Sequence, residues 1–130
     1  MVKIRKRIAA IAAAAVMGVS MVSGTCMSAS AVSYDKYGHI NVDAKQSELY
    51  NTSGQSRYSQ VVHSVYSRST NARVTYASNK GNTISQGSPL VASKSAYNNS
   101  NVYYYFGSGT LYNGNSANTG TYKAYSKTIK

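Results

Sequence analysis

The sequence predicts an all-β protein: a small antiparallel sandwich or partly open barrel of about six short strands. Three observations predict it. Short runs with period-two alternation recur after residue 60, each bounded by Gly, Asn or Ser clusters. Tyrosine, a strand-favouring residue, occurs 13 times in 130 residues, beside one Phe and no Trp. Helix-forming residues gather only at Ala44–Tyr50, a stretch too short to read as a helix.

The chain opens with Lys3, Arg5, Lys6 and Arg7, followed by an apolar run of small residues from Ile8 to Val22 and then Ala29-Ser30-Ala31. A charged start, a short apolar stretch and a small-x-small triplet form the pattern of a secretory signal peptide, cut after Ala31. The run is alanine-rich and broken by Gly18, Ser20, Ser23 and Gly24, which argues against a retained membrane anchor. The style is bacterial, more Gram-positive than Gram-negative. The expected product is a secreted chain of 99 residues without Cys26, the sole cysteine, and therefore without disulfide or thiol chemistry.

Residues 32–59 read as a polar, loosely structured lead-in, with at most one short strand at His39–Val42. A β-domain spans 60–130. Gln60–Tyr66 is rich in strand formers, and Ala72–Ala77 alternates. Asn79–Asn82 reads as a turn, Thr83–Gln86 as a short edge strand, and Leu90–Tyr97 as a further strand. Val102–Phe106 is the strongest strand signal, with Val102, Tyr104 and Phe106 expected in the core and Tyr103 and Tyr105 on the outer face; Gly107-Ser108-Gly109 is read as its end. Asn113-Gly114 signals a tight hairpin, because a type I′ turn needs positive φ at both central residues. Thr121–Ile129 closes the domain.

Composition limits the chemistry. Residues 32–130 hold seven Lys, three Arg and three acids, a net charge of +7, and all three acids (Asp35, Asp43, Glu48) fall before Leu49. One sign of charge over most of a domain attracts polyanions. Paired carboxylates for glycoside hydrolysis could come only from the lead-in. No Gly-x-Ser-x-Gly elbow accompanies His63. His39 and His63 alone make a poor metal site, and no phosphate loop or dinucleotide fingerprint occurs. The sequence therefore reads as a non-enzyme needing no metal or cofactor.

The residues that could bind an anionic partner are Arg57, Arg68 and Arg73, which bracket the first long strand; Tyr103 and Tyr105, expected to be exposed aromatics; Lys94; and Lys123, Tyr125 and Lys127 on one face of the closing strand. Aromatic faces stack on sugar rings or bases, while Lys and Arg hold anionic groups. His63 reads as a structural histidine inside a strand.

Tyr37-Gly38, the stretch from Tyr58 to His63-Ser64-Val65, and Tyr103–Phe106 resemble the Tyr-Gly, Tyr…His-Ser and Tyr-Tyr features of the lactococcin-type non-lantibiotic bacteriocins. That resemblance implies a cationic, cysteine-free, two-sheet β-sandwich. The Gly-Gly-x-Trp opening of the family is missing, so the resemblance does not assign the chain to it.

The functional expectation is a secreted protein that binds anionic cell-envelope or extracellular polymers, or a membrane surface, with nucleic acid not expected as its physiological partner. A bacteriocin-like antimicrobial or toxin-like role, and a self-associating extracellular structural role, are the alternatives. The sequence leaves the oligomeric state open.

Overall fold

The computed structural model describes residues 32–130; the expected signal peptide lies outside the described residues. Eight strands occur among them: β1 (Tyr34–Asp35), β2 (Gly38–Val42), β3 (Gln46–Asn51), β4 (Arg57–Ser67), β5 (Arg73–Thr83), β6 (Leu90–Ser93), β7 (Tyr103–Tyr112) and β8 (Thr121–Ile129). They form two four-stranded antiparallel sheets, ordered β1-β2-β3-β6 and β5-β4-β7-β8. The sheets do not close into a barrel.

The small sheet corrects the reading of 32–59 as a loose lead-in. Its acids build turns. The Asp35 carboxylate accepts the amides of Tyr37 (2.8 Å) and Gly38 (3.1 Å), and Asp43 accepts those of Lys45 (2.7 Å) and Gln46 (2.9 Å). Such Asx caps replace the backbone partners that a reversing chain lacks. Between and after these turns the alternation is regular. Gly38, Ile40 and Val42 in β2, and Ser47, Leu49 and Asn51 in β3, face inward and are buried. The helix formers around Ala44–Tyr50 thus lie mostly in a strand, where burial of every second side chain outweighs intrinsic propensity.

The large sheet inverts the expected faces of the strongest strand. In β7 the buried positions are Tyr105, Gly107, Gly109 and Leu111, so Tyr104 and Phe106 face out. The two glycines do not end the strand; they let the sheets approach. A Cβ on Gly107 would strike Val42 and Ser47, and one on Gly109 would come within 2.7 Å of Leu49. Only the face carrying both glycines fits against β2 and β3, and period two then carries Tyr105 inward with them.

Three further expectations shift. Asn79–Asn82 lies within β5 instead of forming a turn, and Thr83 ends that strand. Leu90–Tyr97 divides into β6 and a short 3-10 turn at Ser95–Tyr97. Asn113-Gly114 does open the β7–β8 connection, as the start of an eight-residue loop closed by the Thr119 hydroxyl, which accepts the Gly114 amide at 2.8 Å.

The core joins Ile40, Val42, Leu49 and Ala92 of the small sheet to Val61, Val65, Tyr105, Leu111 and Tyr125 of the large one. Tyrosine supplies the bulk that Leu and Ile do not. Tyr105 is 1% exposed; its hydroxyl donates to the Tyr97 carbonyl (2.7 Å) and accepts the Asn99 amide (3.0 Å), pinning the loop before β7. Tyr125 donates to Asp35 at 2.7 Å. Each buried ring thus carries a satisfied hydroxyl, the condition under which a core tyrosine is stable.

Candidate functional site

Strand register fixes what the outer face of the large sheet displays. At one end, Arg73 (β5), Tyr66 (β4) and Tyr104 (β7) lie side by side, and Lys130 comes directly after β8. The next row holds Tyr76, Ser64, Phe106 and Thr128, of which Ser64 is buried. Further along come Ser78, Val62, Ser108 and Ser126, then Lys80, Gln60, Thr110 and Ala124, and at the far end Asn82, Tyr58, Tyr112 and Thr121. No acidic side chain stands anywhere on this face, because the chain has no Asp or Glu after Glu48.

The first two rows form the most structured part. Tyr66 and Tyr104 stack with ring centroids 5.2 Å apart and planes 12° apart. The Lys130 ammonium lies 4.7 Å from the Tyr104 ring centre, and the Arg73 guanidinium 4.5 Å from that of Tyr76. Arg68 stands in the β4–β5 turn, its Nε donating to the Ser100 carbonyl at 2.6 Å. Burial pushes the Tyr66 phenol up to about 12, against the opposing pull of Arg73. Burial also raises Tyr104, with Arg68 offsetting part of the rise. Both phenols therefore stay neutral at any physiological pH, and the side-chain charge of the site comes from Arg68, Arg73 and Lys130. A stacked aromatic pair beside cations can hold a sugar ring by its face and a neighbouring anionic group by charge. Tyr58 and Tyr112 at the far end repeat the aromatic element (5.5 Å between centroids). They stand eight residues along β4 from Tyr66, roughly 27 Å at the usual strand rise.

The structure separates the residues picked out by sequence. Arg68 and Arg73 join the aromatic rows. Arg57, Tyr105 and Tyr125 are core residues, at 6%, 1% and 1% exposure, and cannot meet an outside partner. Arg57 serves the fold: its Nε donates to Ser53 Oγ (2.7 Å), its Nη1 to the carbonyls of Tyr112 (3.2 Å) and Asn113 (3.0 Å), and its guanidinium lies 3.5 Å from the Tyr122 ring centre. Tyr103 packs inward against the core edge, in contact with Tyr97. Lys123 lies over the Tyr37 ring at 4.9 Å, at the sandwich end where Lys36 also reaches that ring (5.0 Å). Lys127 is exposed on β8 opposite Gly107, and Lys94 is half-buried after β6; neither joins the aromatic rows.

Sequence reasoning missed Tyr66, Tyr76, Tyr104 and Phe106 as site residues. The parity of β7 could have found two of them: Gly107, Gly109 and Leu111 share odd numbers with Tyr105, which leaves Tyr104 and Phe106 outside.

His63 is buried at the sheet interface, fully inside. Its Nδ1 shares a 2.8 Å hydrogen bond with Ser47 Oγ, its ring stacks on Tyr105 at 5.6 Å, and its Nε2 has no partner among the described residues. Burial lowers its pKa to about 4, with Asp43 pulling weakly the other way. A neutral imidazole so enclosed ties the two sheets together.

No protein-family model, curated protein or solved structure matches this chain.

Proposed function

We propose that this chain is a secreted bacterial protein, without enzymatic activity, that binds anionic polymers of the cell envelope through the outer face of its large sheet. The observation that carries this reading is the Tyr66–Tyr104 stack, flanked by Arg68, Arg73 and Lys130 on a face without an acidic side chain. A polymer alternating sugar rings with anionic groups offers the two chemistries that this face pairs. The hydroxyl and amide rows between the aromatic ends, from Gln60 to Ser126, add hydrogen bonds along an extended ligand. Retention on purified cell walls tests the reading. Binding should be saturable and weaken as salt rises, because released counterions and screened charges carry part of the affinity. Failure to bind at low salt would overturn it.

A second reading, an antimicrobial protein acting on competitors' envelopes, draws support from one observation: two antiparallel sheets are the architecture implied by the lactococcin-type resemblance. Growth inhibition of related strains at micromolar dose supports it, and its absence counts against it.

A further inference from the structure

We infer that the sandwich end where Lys36, Tyr37, Tyr122 and Lys123 converge is a second anion site, which takes a phosphate group, with the buried charge of Arg57 behind it. It uses none of the residues of the outer-face site and does not depend on that reading. Two segments far apart in sequence build it. Lys36 and Tyr37 form the β1–β2 turn, which is held from both sides. The Asp35 carboxylate accepts the Tyr37 amide. From the other side, Thr52 donates its hydroxyl to the Lys36 carbonyl (3.1 Å) and its amide to the Tyr37 carbonyl (2.9 Å).

The second segment is the start of β8, where the ladder is bulged. Leu111 pairs with Lys123 and Tyr112 with Thr121, so Tyr122 is an extra residue between them. Neighbours in a regular strand point to opposite faces. Here the bulge brings both to one ring, the re-aiming of side chains that bulges commonly provide beside a site. Tyr122 meets Tyr37 edge to face, 5.4 Å between centroids. The Lys123 ammonium stands 4.9 Å from the Tyr37 ring centre, and that of Lys36 stands 5.0 Å from it.

The charge of this end is not neutralised from within. Arg57 adds a third cation, 3.5 Å from the Tyr122 ring centre, and its acceptors are all neutral: the Ser53 hydroxyl and the carbonyls of Tyr112 and Asn113. Its Nη2 donates to nothing among the described residues. A charge at 6% exposure without an acidic partner is poorly screened by water and salt, so its field reaches past the ring that covers it. Asp35 is the one acid in these segments, and its Oδ1 is taken by the amides of Tyr37 and Gly38 and by the Tyr125 hydroxyl (2.7 Å). Three cations against one engaged carboxylate leave an excess positive charge. The accessible cations are lysines, which hold phosphate as point charges on adjustable stems, whereas a carboxylate is best held by an arginine fork, and the arginine here is buried. A phosphate monoester, close to doubly ionised at neutral pH, fits that excess better than a carboxylate does.

Titrating the isotope-labelled protein with sodium phosphate at fixed ionic strength tests the site. The ring signals of Tyr37 and Tyr122 and the amides of Lys36 and Lys123 should shift saturably, and acetate should leave them in place. Their readout is separate from the outer face, so silence at Tyr66 and Tyr104 has no bearing on it. Lys36→Gln with Lys123→Gln should weaken phosphate binding about tenfold. Lys94→Gln with Lys127→Gln removes the same charge elsewhere and should leave it unchanged. Glycerol phosphate and vesicles of phosphatidylglycerol then separate the two sources of the group. Saturable ring shifts with the first point to a soluble phosphate ester. Co-sedimentation with the second, lost in the Lys36–Lys123 double variant, points to a lipid headgroup. No saturable shift, equal shifts with acetate, equal losses in the two double variants, or a response to inorganic phosphate with neither ester bound (an adventitious ion only) would overturn the inference.

Discussion

The two outer faces of the sandwich use one device to opposite electrostatic ends. Each carries an aromatic ladder across neighbouring strands. On the small sheet Tyr34, His39 and Tyr50 stand in register, with His39 stacked on Tyr50 at 4.4 Å. That ladder ends on a carboxylate: the Tyr50 hydroxyl donates to Glu48 at 3.2 Å, and Gln46 donates to the same group. On the large sheet the Tyr66–Tyr104 ladder ends on Arg73 and Lys130. The difference comes from chain order. All three acids lie before Leu49, within the segment that builds the turns and strands of the small sheet, and every strand of the large sheet lies after Glu48. An aromatic ladder alone therefore does not mark a binding face. The charge at its end decides what it can meet.

This contrast holds only if the right residues face out, and Gly107 tests that most severely. Gly107→Val should destabilise the protein by about 3 kcal/mol or more in urea unfolding, because the new side chain meets Val42 and Ser47. Ser108→Val, one residue along on the outer face, should change stability by about 0.5 kcal/mol or less. Equal effects would break the assignment of faces.

Acid tests whether the two faces belong to one cooperative unit. Neutral His63 bridges β4 to Ser47 of β3. Its folded pKa of about 4 lies below the ordinary value of 6.5, so the unfolded chain binds the extra proton first. Its contribution is complete above about pH 6.5 and fades as pH falls toward 4, a loss of about 3 kcal/mol. Amide protection factors, corrected for the intrinsic exchange rate at each pH, should fall on both sheets together over that window, and His63→Gln should flatten the slope. Loosening of one sheet alone would show that they are not held as one.

Charge comes next in size. Arg73→Gln with Lys130→Gln should weaken wall binding about tenfold, near 1.4 kcal/mol, and reduce its salt dependence. Lys45→Gln, beside the small sheet, should leave both nearly unchanged. The smallest effect belongs to the rings. Tyr104→Ala should lower affinity several-fold, about 1 kcal/mol, while Tyr50→Ala leaves affinity alone; a reversal of the two would move the site to the other face.

Legibility in the sequence divides along the same line. The all-β class and the strands around β4 and β7 could be read, because alternation and tyrosine content are local signals. Of the small sheet, the strands at His39–Val42 and after Leu90 could be read as well, but not the order of residues 32–59 as a whole, since its polar turns look like disorder until Asp35 and Asp43 are seen accepting backbone amides. The faces of β7 were inverted because Gly107 and Gly109 read locally as breakers, whereas their role is set by Val42, Ser47 and Leu49 on the opposing sheet. Of the candidate site, Arg68 and Arg73 were visible as basic residues flanking a strand. Arg57 was not separable from them, because its burial depends on carbonyls more than 50 residues away at Tyr112 and Asn113.

The central claim is that the acid-free aromatic face meets the ligand. Titrating the isotope-labelled protein with solubilised wall polymer while recording amide and aromatic-ring NMR shifts tests it most directly. The account predicts perturbations concentrated at Tyr66, Arg73, Tyr76, Tyr104 and Phe106, extending toward Tyr58 and Tyr112, with His39, Glu48 and Tyr50 unmoved. Shifts centred on the His39–Tyr50 ladder, with the Tyr66–Tyr104 stack silent, would contradict it.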